Sequence, residues 1–157
     1  INALVRLADP ESSLSGIASG TFRIDGTADS PRMSGDGDVV AVRYGDVALD
    51  TIDISLRHQN HVSDWNLSVR HEGRDMLTGL VSLPIQVAFV PFRLKRLDSP
   101  MSGRIRADVM PAALPAGLVS GLERVNGTIS GELILGGTPF DPALDGGFMI
   151  SGGMTYP

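Results

Sequence analysis

Apolar residues recur at every second position along most of this chain. Phe22 and Ile24 alternate with Thr21, Arg23 and Asp25, and Ile52, Ile54 and Leu56 alternate with Asp53, Ser55 and Arg57. Trp65, Leu67 and Val69 alternate with Asn66, Ser68 and Arg70. Met101, Gly103, Ile105, Ala107 and Val109 form a further series, and Val125, Gly127, Ile129, Gly131, Leu133 and Leu135 hold one parity over eleven residues. A period of two belongs to β-strands with one apolar and one wet face. Between the runs stand Asp36-Gly37, Tyr44-Gly45-Asp46, His71-Glu72-Gly73-Arg74 and Asn126-Gly127, turn residues that predict hairpins and antiparallel neighbours. Residues 75–97 alternate less cleanly. Met76, Leu77, Leu80, Val81 and Leu83 occupy both parities, while Pro84 and Pro91 mark edges, bulges or strand ends. One stretch departs from the pattern: Leu114, Leu118 and Leu122, four apart, predict a short helical segment near 111–123, broken by Pro115 and Gly117.

Two stretches repeat. Residues 19–35 align with 130–146 at an offset of 111, with six identities in seventeen positions: Ser19/Ser130, Gly20/Gly131, Gly26/Gly137, Thr27/Thr138, Pro31/Pro142 and Gly35/Gly146. The unit reads strand, Gly-Thr, short loop, Pro, strand, Gly. Gly26 and Gly137 suit a backbone conformation closed to other residues, and Pro31 and Pro142 fix the chain as it re-enters a strand. An offset this long exceeds a simple solenoid unit and predicts a module of several strands. With Ile1 at one end and Tyr156-Pro157 at the other, residues 1–157 read as a single β module cut from a longer repetitive protein.

Composition narrows the function. The chain has 157 residues, 19 of them Gly, a net charge of −5 and no Cys. Disulfides, thiolate metal sites and cysteine nucleophiles are thereby excluded. Acidic balance without a basic stripe argues against nucleic acid. His58, His61 and His71 lack a completing carboxylate cluster and read as exposed strand-end residues, so no metal is expected. Ser34-Gly-Asp-Gly-Asp38 has the look of a calcium loop but lacks the downstream Glu, and reads as a tight turn. Asp25, Asp29, Asp36 and Asp38 fall in turns or on wet parity, and no nucleophile elbow, phosphate loop or zinc helix motif is present. No enzyme and no cofactor is expected. Asn66-Leu-Ser and Asn126-Gly-Thr match a glycosylation sequon that occurs often by chance. The one dense basic patch, Arg93-Leu-Lys-Arg96, reads as a solvated face or as an attractor of lipid headgroups.

A sheet with one apolar face must be covered by helices, by a second sheet or by itself. This chain offers almost no helix. The inward parity is rich in small residues, including Gly20, Gly26, Gly79, Gly103, Ala107, Gly127, Gly131 and Gly146, and the whole chain has five Phe, two Tyr and one Trp. Such a sheet either curls around an unfilled groove or closes as an ordinary sandwich core. Parity alone nominates the lining: Phe22, Ile24, Val40, Val42, Ile52, Ile54, Leu56, Trp65, Leu67, Val69, Ile105, Leu133 and Leu135. A single bulge would flip everything beyond it.

The alternating strands, the Gly-Thr-x-x-x-Pro phrase, and the order Ser102-Gly-Arg-Ile-Arg-Ala-Asp-Val, linker, Asn126-Gly-Thr-Ile-Ser-Gly-Glu-Leu-Ile-Leu-Gly-Gly-Thr-Pro-Phe-Asp-Pro together resemble the TamB family of AsmA-like envelope proteins over roughly residues 16–157. The resemblance implies an all-β, curled, incomplete antiparallel-rich sheet, an open half-pipe or β-taco with an apolar concave face. It implies a periplasmic region of an inner-membrane-anchored protein in a bacterium with two membranes. Phospholipid acyl chains would be the cargo, and a TamA-like outer-membrane barrel would be the partner of the parent's C-terminal region. Two alternatives stand beside this. One is a chaperone or scaffold that adds nascent outer-membrane strands to an open edge; the other is a surface β-repeat adhesin. Open edges at 1–8 and 143–151 also predict an edge-strand homodimer of the fragment.

Overall fold

The computed structural model describes residues 2–8, 14–44, 47–112 and 127–152. The predicted alternation becomes one open antiparallel sheet of ten strands: β1 (Asn2–Ala8), β2 (Leu14–Gly26), β3 (Pro31–Tyr44), β4 (Val47–Gln59), β5 (Val62–His71), β6 (Arg74–Phe89), β7 (Phe92–Arg96), β8 (Ser102–Pro111), β9 (Thr128–Gly137) and β10 (Pro142–Ser151). Each strand pairs with the one before it, except that β8 returns to the first half of β6 while β7 pairs with its second half. β1 and β10 are the two edges and do not meet, so the sheet is not closed. There is no helix among the described residues. The segment expected near 111–123 lies outside them save for Pro111, which ends β8, and Ala112.

Two expected turns are not turns. Asp36 and Gly37 sit in mid-β3, and so does the whole Ser34–Asp38 stretch. The small residues there serve packing across the ladder: Gly35 faces the ring of Phe22, and Gly37 faces a methyl of Ile54. Of the other expected turns, the one at His71–Arg74 is present, and the one at Asn126-Gly127 lies outside the described residues save for Gly127. Glu72 and Gly73 take positive φ between β5 and β6, and residues 45–46, between β3 and β4, lie outside the described set.

The ladders are interrupted along one transverse line. Register slips at Gly16 in β2, at Met76 in β6 and at Asp108–Val109 in β8, while Ala41 in β3 adopts φ 52°. Bulges bend and re-aim a strand. Here they bring together the buried cluster of Val42, Leu49, Val69, Met76, Ala107 and Met110. Val109, at φ 51°, is turned out to 60% exposure and Met110 in to 9%, the reverse of the expected parity. At the opposite strand ends, β6 leaves the main ladder after Pro84. Its Ile85 amide donates to the His61 carbonyl, and its Phe89 amide donates to the Ala28 carbonyl in the β2–β3 turn. The β6–β7 hairpin therefore runs across the ends of β5 to β2. Val87 and Ala88 are buried there, as are Pro31 and His58.

Candidate functional site

Directly paired residues of an antiparallel ladder project on the same side of the sheet. Ile54, Leu67, Ile105 and Leu133 form one such row, with Gly79 between the second and third. Phe22, Leu56, Trp65 and Leu135 belong to the next row, bridged by Gly35, Val81 and Gly103. Ile52 and Val69 lie in a third, and Ile24 stands beyond Phe22 on the same side. Phe22, Ile24, Ile54, Trp65 and Ile105 remain between 38% and 53% exposed, although Val69 and Val42 are sealed in the cluster.

Val40 is the exception among the thirteen nominated residues. It pairs with Thr51 and Ile17, on the side of Asp36 and Asp38. Val42 nonetheless reaches the core, because the positive φ of Ala41 inverts the alternation between them. Val39, which pairs with Ile52, takes the place given to Val40. Asp36 and Asp38 carry the signal that finds it: they put even numbers on the wet side up to Ala41. Leu77 and Val81 on β6 also join the aliphatic side, and parity does not single them out, since apolar residues there occupy both parities.

Both sides of the sheet are hollowed, as the saddle of a twisted sheet requires. The hollow on the aliphatic side measures about 270 Å³ and is lined by Phe22, Gly35, Gly37, Ile54, Leu56 and Trp65, among others. The larger hollow, about 1040 Å³, lies mainly on the polar side along Thr21, Asp36, Asp38, Asp53, Asn66 and Arg70, and Ile54, Leu67 and Leu80 also line it. That side largely satisfies itself. Ser19 donates to Asp38 at 2.6 Å, Asn66 to Ser55 at 2.9 Å and Ser68 to Asp75 at 3.0 Å. Arg70 bridges Asp75 at 3.1 Å and Asp53 at 3.8 Å. No group of three or more His, Cys, Asp or Glu side chains able to hold a metal occurs among the described residues.

The histidines separate. His58, expected at the surface, is 1% exposed, and its Nδ1 shares a 2.7 Å hydrogen bond with buried Ser63. Burial, and secondarily His61, lower its pKa below the ordinary imidazole value of 6.5. His61 and His71 are half-buried. The basic stretch Arg93–Arg96 forms exposed β7 along the sheet end, with the Arg96 guanidinium 5.3 Å from the centre of the Phe140 ring in the β9–β10 turn.

No family model, curated protein or solved structure matches the chain.

Proposed function

We propose that this chain is a non-enzymatic module that shelters phospholipid acyl chains along the aliphatic side of its sheet, as a periplasmic segment of a TamB-like protein anchored in the inner membrane. One observation carries the reading: five large apolar side chains, Phe22, Ile24, Ile54, Trp65 and Ile105, share one side of four strands and stay 38–53% exposed. An unfilled apolar face of this kind marks a binding surface. Each methylene moved from water into such a lining contributes about 0.8 kcal/mol.

The trough runs across the strands. Its flanks are the buried Val42–Met110 cluster at one set of strand ends and the β6–β7 hairpin at the other. In this reading the sheet is a half-pipe, and its floor is the Ile54–Leu133 row. β7, with Arg93, Lys95 and Arg96, places cations at the rim, where anionic headgroups would remain in water. The wider trough of a longer parent would join the two membranes and meet a TamA-like barrel. The aliphatic hollow of about 270 Å³ holds part of an acyl chain, so several modules in series are required.

The test is a charge placed on the floor. In purified Leu67→Arg and Ile54→Arg variants that retain the native β-sheet circular dichroism, co-purifying phospholipid measured by mass spectrometry should fall at least tenfold. Undiminished lipid in the folded variants contradicts the reading. A second reading, addition of nascent outer-membrane strands, is supported by the open edges β1 and β10. Under it, charges on the floor would leave client binding intact.

A further inference from the structure

The β6–β7 hairpin joins an apolar tip to a basic strand. Val90, Phe92 and Leu94, with Phe140 of the neighbouring β9–β10 turn, are 61–71% exposed, more than any nominated residue of the trough. From position 76 to 97 the chain has no acidic residue, and its cations there are Arg93, Lys95 and Arg96. Strand pairing puts Phe89 and Phe92, and Val87 and Leu94, on one side of the hairpin. Arg93 and Lys95 share the other side with Ala88 and Gln86. Among the described residues no carboxylate forms an ion pair with any of the three cations, and Arg96 lies over the Phe140 ring instead. Asp29, Asp98 and Asp141 stand in the connections beside the hairpin, so the positive charge is confined to β7 itself.

We propose that this hairpin docks the protein on the surface of an anionic phospholipid bilayer. Val90, Phe92 and Leu94 enter the boundary between headgroups and acyl chains, and Arg93, Lys95 and Arg96 meet the phosphates. A bilayer surface offers negative charge outside and apolar volume just beneath, and exposed apolar residues interleaved with cations match that order. A hairpin turn gives no groove in which a peptide or a single acyl chain could lie. The tip is also held in place before it meets a membrane. The Ile85 and Phe89 amides bond to the His61 and Ala28 carbonyls, and the Leu97 amide bonds to the Pro84 carbonyl, so little ordering is left to oppose docking. The hairpin lies at the strand ends. Strands added beyond β1 or β10 would extend the sheet across its ladder and leave this end uncovered. The proposal does not rest on the acyl-chain reading, since the hairpin can hold a bilayer while the trough stands empty.

The chain has no Cys, so a single introduced Cys can carry an environment-sensitive fluorophore. The full chain is labelled at Val90→Cys in the tip, or at Arg74→Cys at the opposite strand ends, and mixed with vesicles of phosphatidylcholine alone or of phosphatidylcholine with phosphatidylglycerol. The expected result is a blue shift at position 90 and none at 74, with binding at least about fivefold tighter to the anionic vesicles. Unlabelled Arg93→Gln/Lys95→Gln protein that keeps its β-sheet circular dichroism should co-sediment with them about 10–30-fold more weakly. Leu67→Arg, which alters the trough and not the hairpin, should bind as the wild type does. No binding to anionic vesicles, equal affinity for both kinds, or a shift at 74 as large as that at 90 would overturn the proposal. So would undiminished binding by the folded double variant, or loss of binding in Leu67→Arg.

Discussion

The ring of Phe22 lies over Gly35, its neighbour across the β2–β3 ladder, so close that a methyl group on Gly35 would meet Phe22 Cδ2 at 2.7 Å. The glycine is the seat of the aromatic ring, and both residues line the aliphatic hollow. The corresponding pair in the second hairpin is Leu133 and Gly146. There the obstacle is backbone: a Cβ on Gly146, at φ 120°, would collide with the Glu132 carbonyl oxygen.

These two sites predict unequal responses to the same change. Gly35→Ala can be absorbed by rotation of the Phe22 side chain and should cost about 1 kcal/mol. Gly146→Ala meets a fixed carbonyl in a conformation that disfavours side chains, and should cost about 2–3 kcal/mol. Urea unfolding of both variants checks the order; equal losses would contradict the packing described.

His58 predicts a pH dependence. Its pKa is lowered on folding, by burial and then by His61. The unfolded chain therefore binds the proton more readily. The stabilising effect is complete above pH 6.5 and declines as pH falls from there through the lowered folded value. Urea midpoints of the wild type should drop between about pH 7.5 and 5 by more than those of His58→Gln, and identical slopes would rule out this origin.

Val109 and Met110 test the bulge. Val109 is a β-branched residue at φ 51° with 60% exposure, while Met110 is buried. Val109→Gly should leave stability unchanged or raise it by up to about 1 kcal/mol, since left-handed backbone costs a branched residue roughly 1–2 kcal/mol. Met110→Ala should lower it by about 2–3 kcal/mol. If Val109 were the costlier site, the regular alternation of the sequence would hold and the bulge would not.

That contrast shows where local pattern reaches and where it stops. Ile52 to Leu56 and Trp65 to Val69 alternate without a break, and parity alone places both, because a regular ladder transmits side-chain direction residue by residue. Nothing in the letters of Val40-Ala41-Val42 announces that Ala41 inverts the alternation, so parity misplaces one of the two valines. Asp36-Gly37 reads as a turn because Gly and Asp favour turns, yet Gly35 and Gly37 are small to receive Phe22 and Ile54 from adjacent strands. His58 reads as a surface residue because it stands at the end of β4, yet it is buried beside Ser63, at the strand ends that the β6–β7 hairpin crosses, and nothing in the local pattern announces that crossing.

The central claim is that acyl chains lie on the Ile54 side and not in the larger polar hollow. The most direct measurement places a photocrosslinking amino acid singly at positions 54, 65 and 105 on the aliphatic side, and at 55, 66 and 68 on the polar side, followed by detection of phospholipid adducts. The account predicts adducts from 54, 65 and 105 only. Adducts from 55, 66 and 68, or from none of the six, would contradict it.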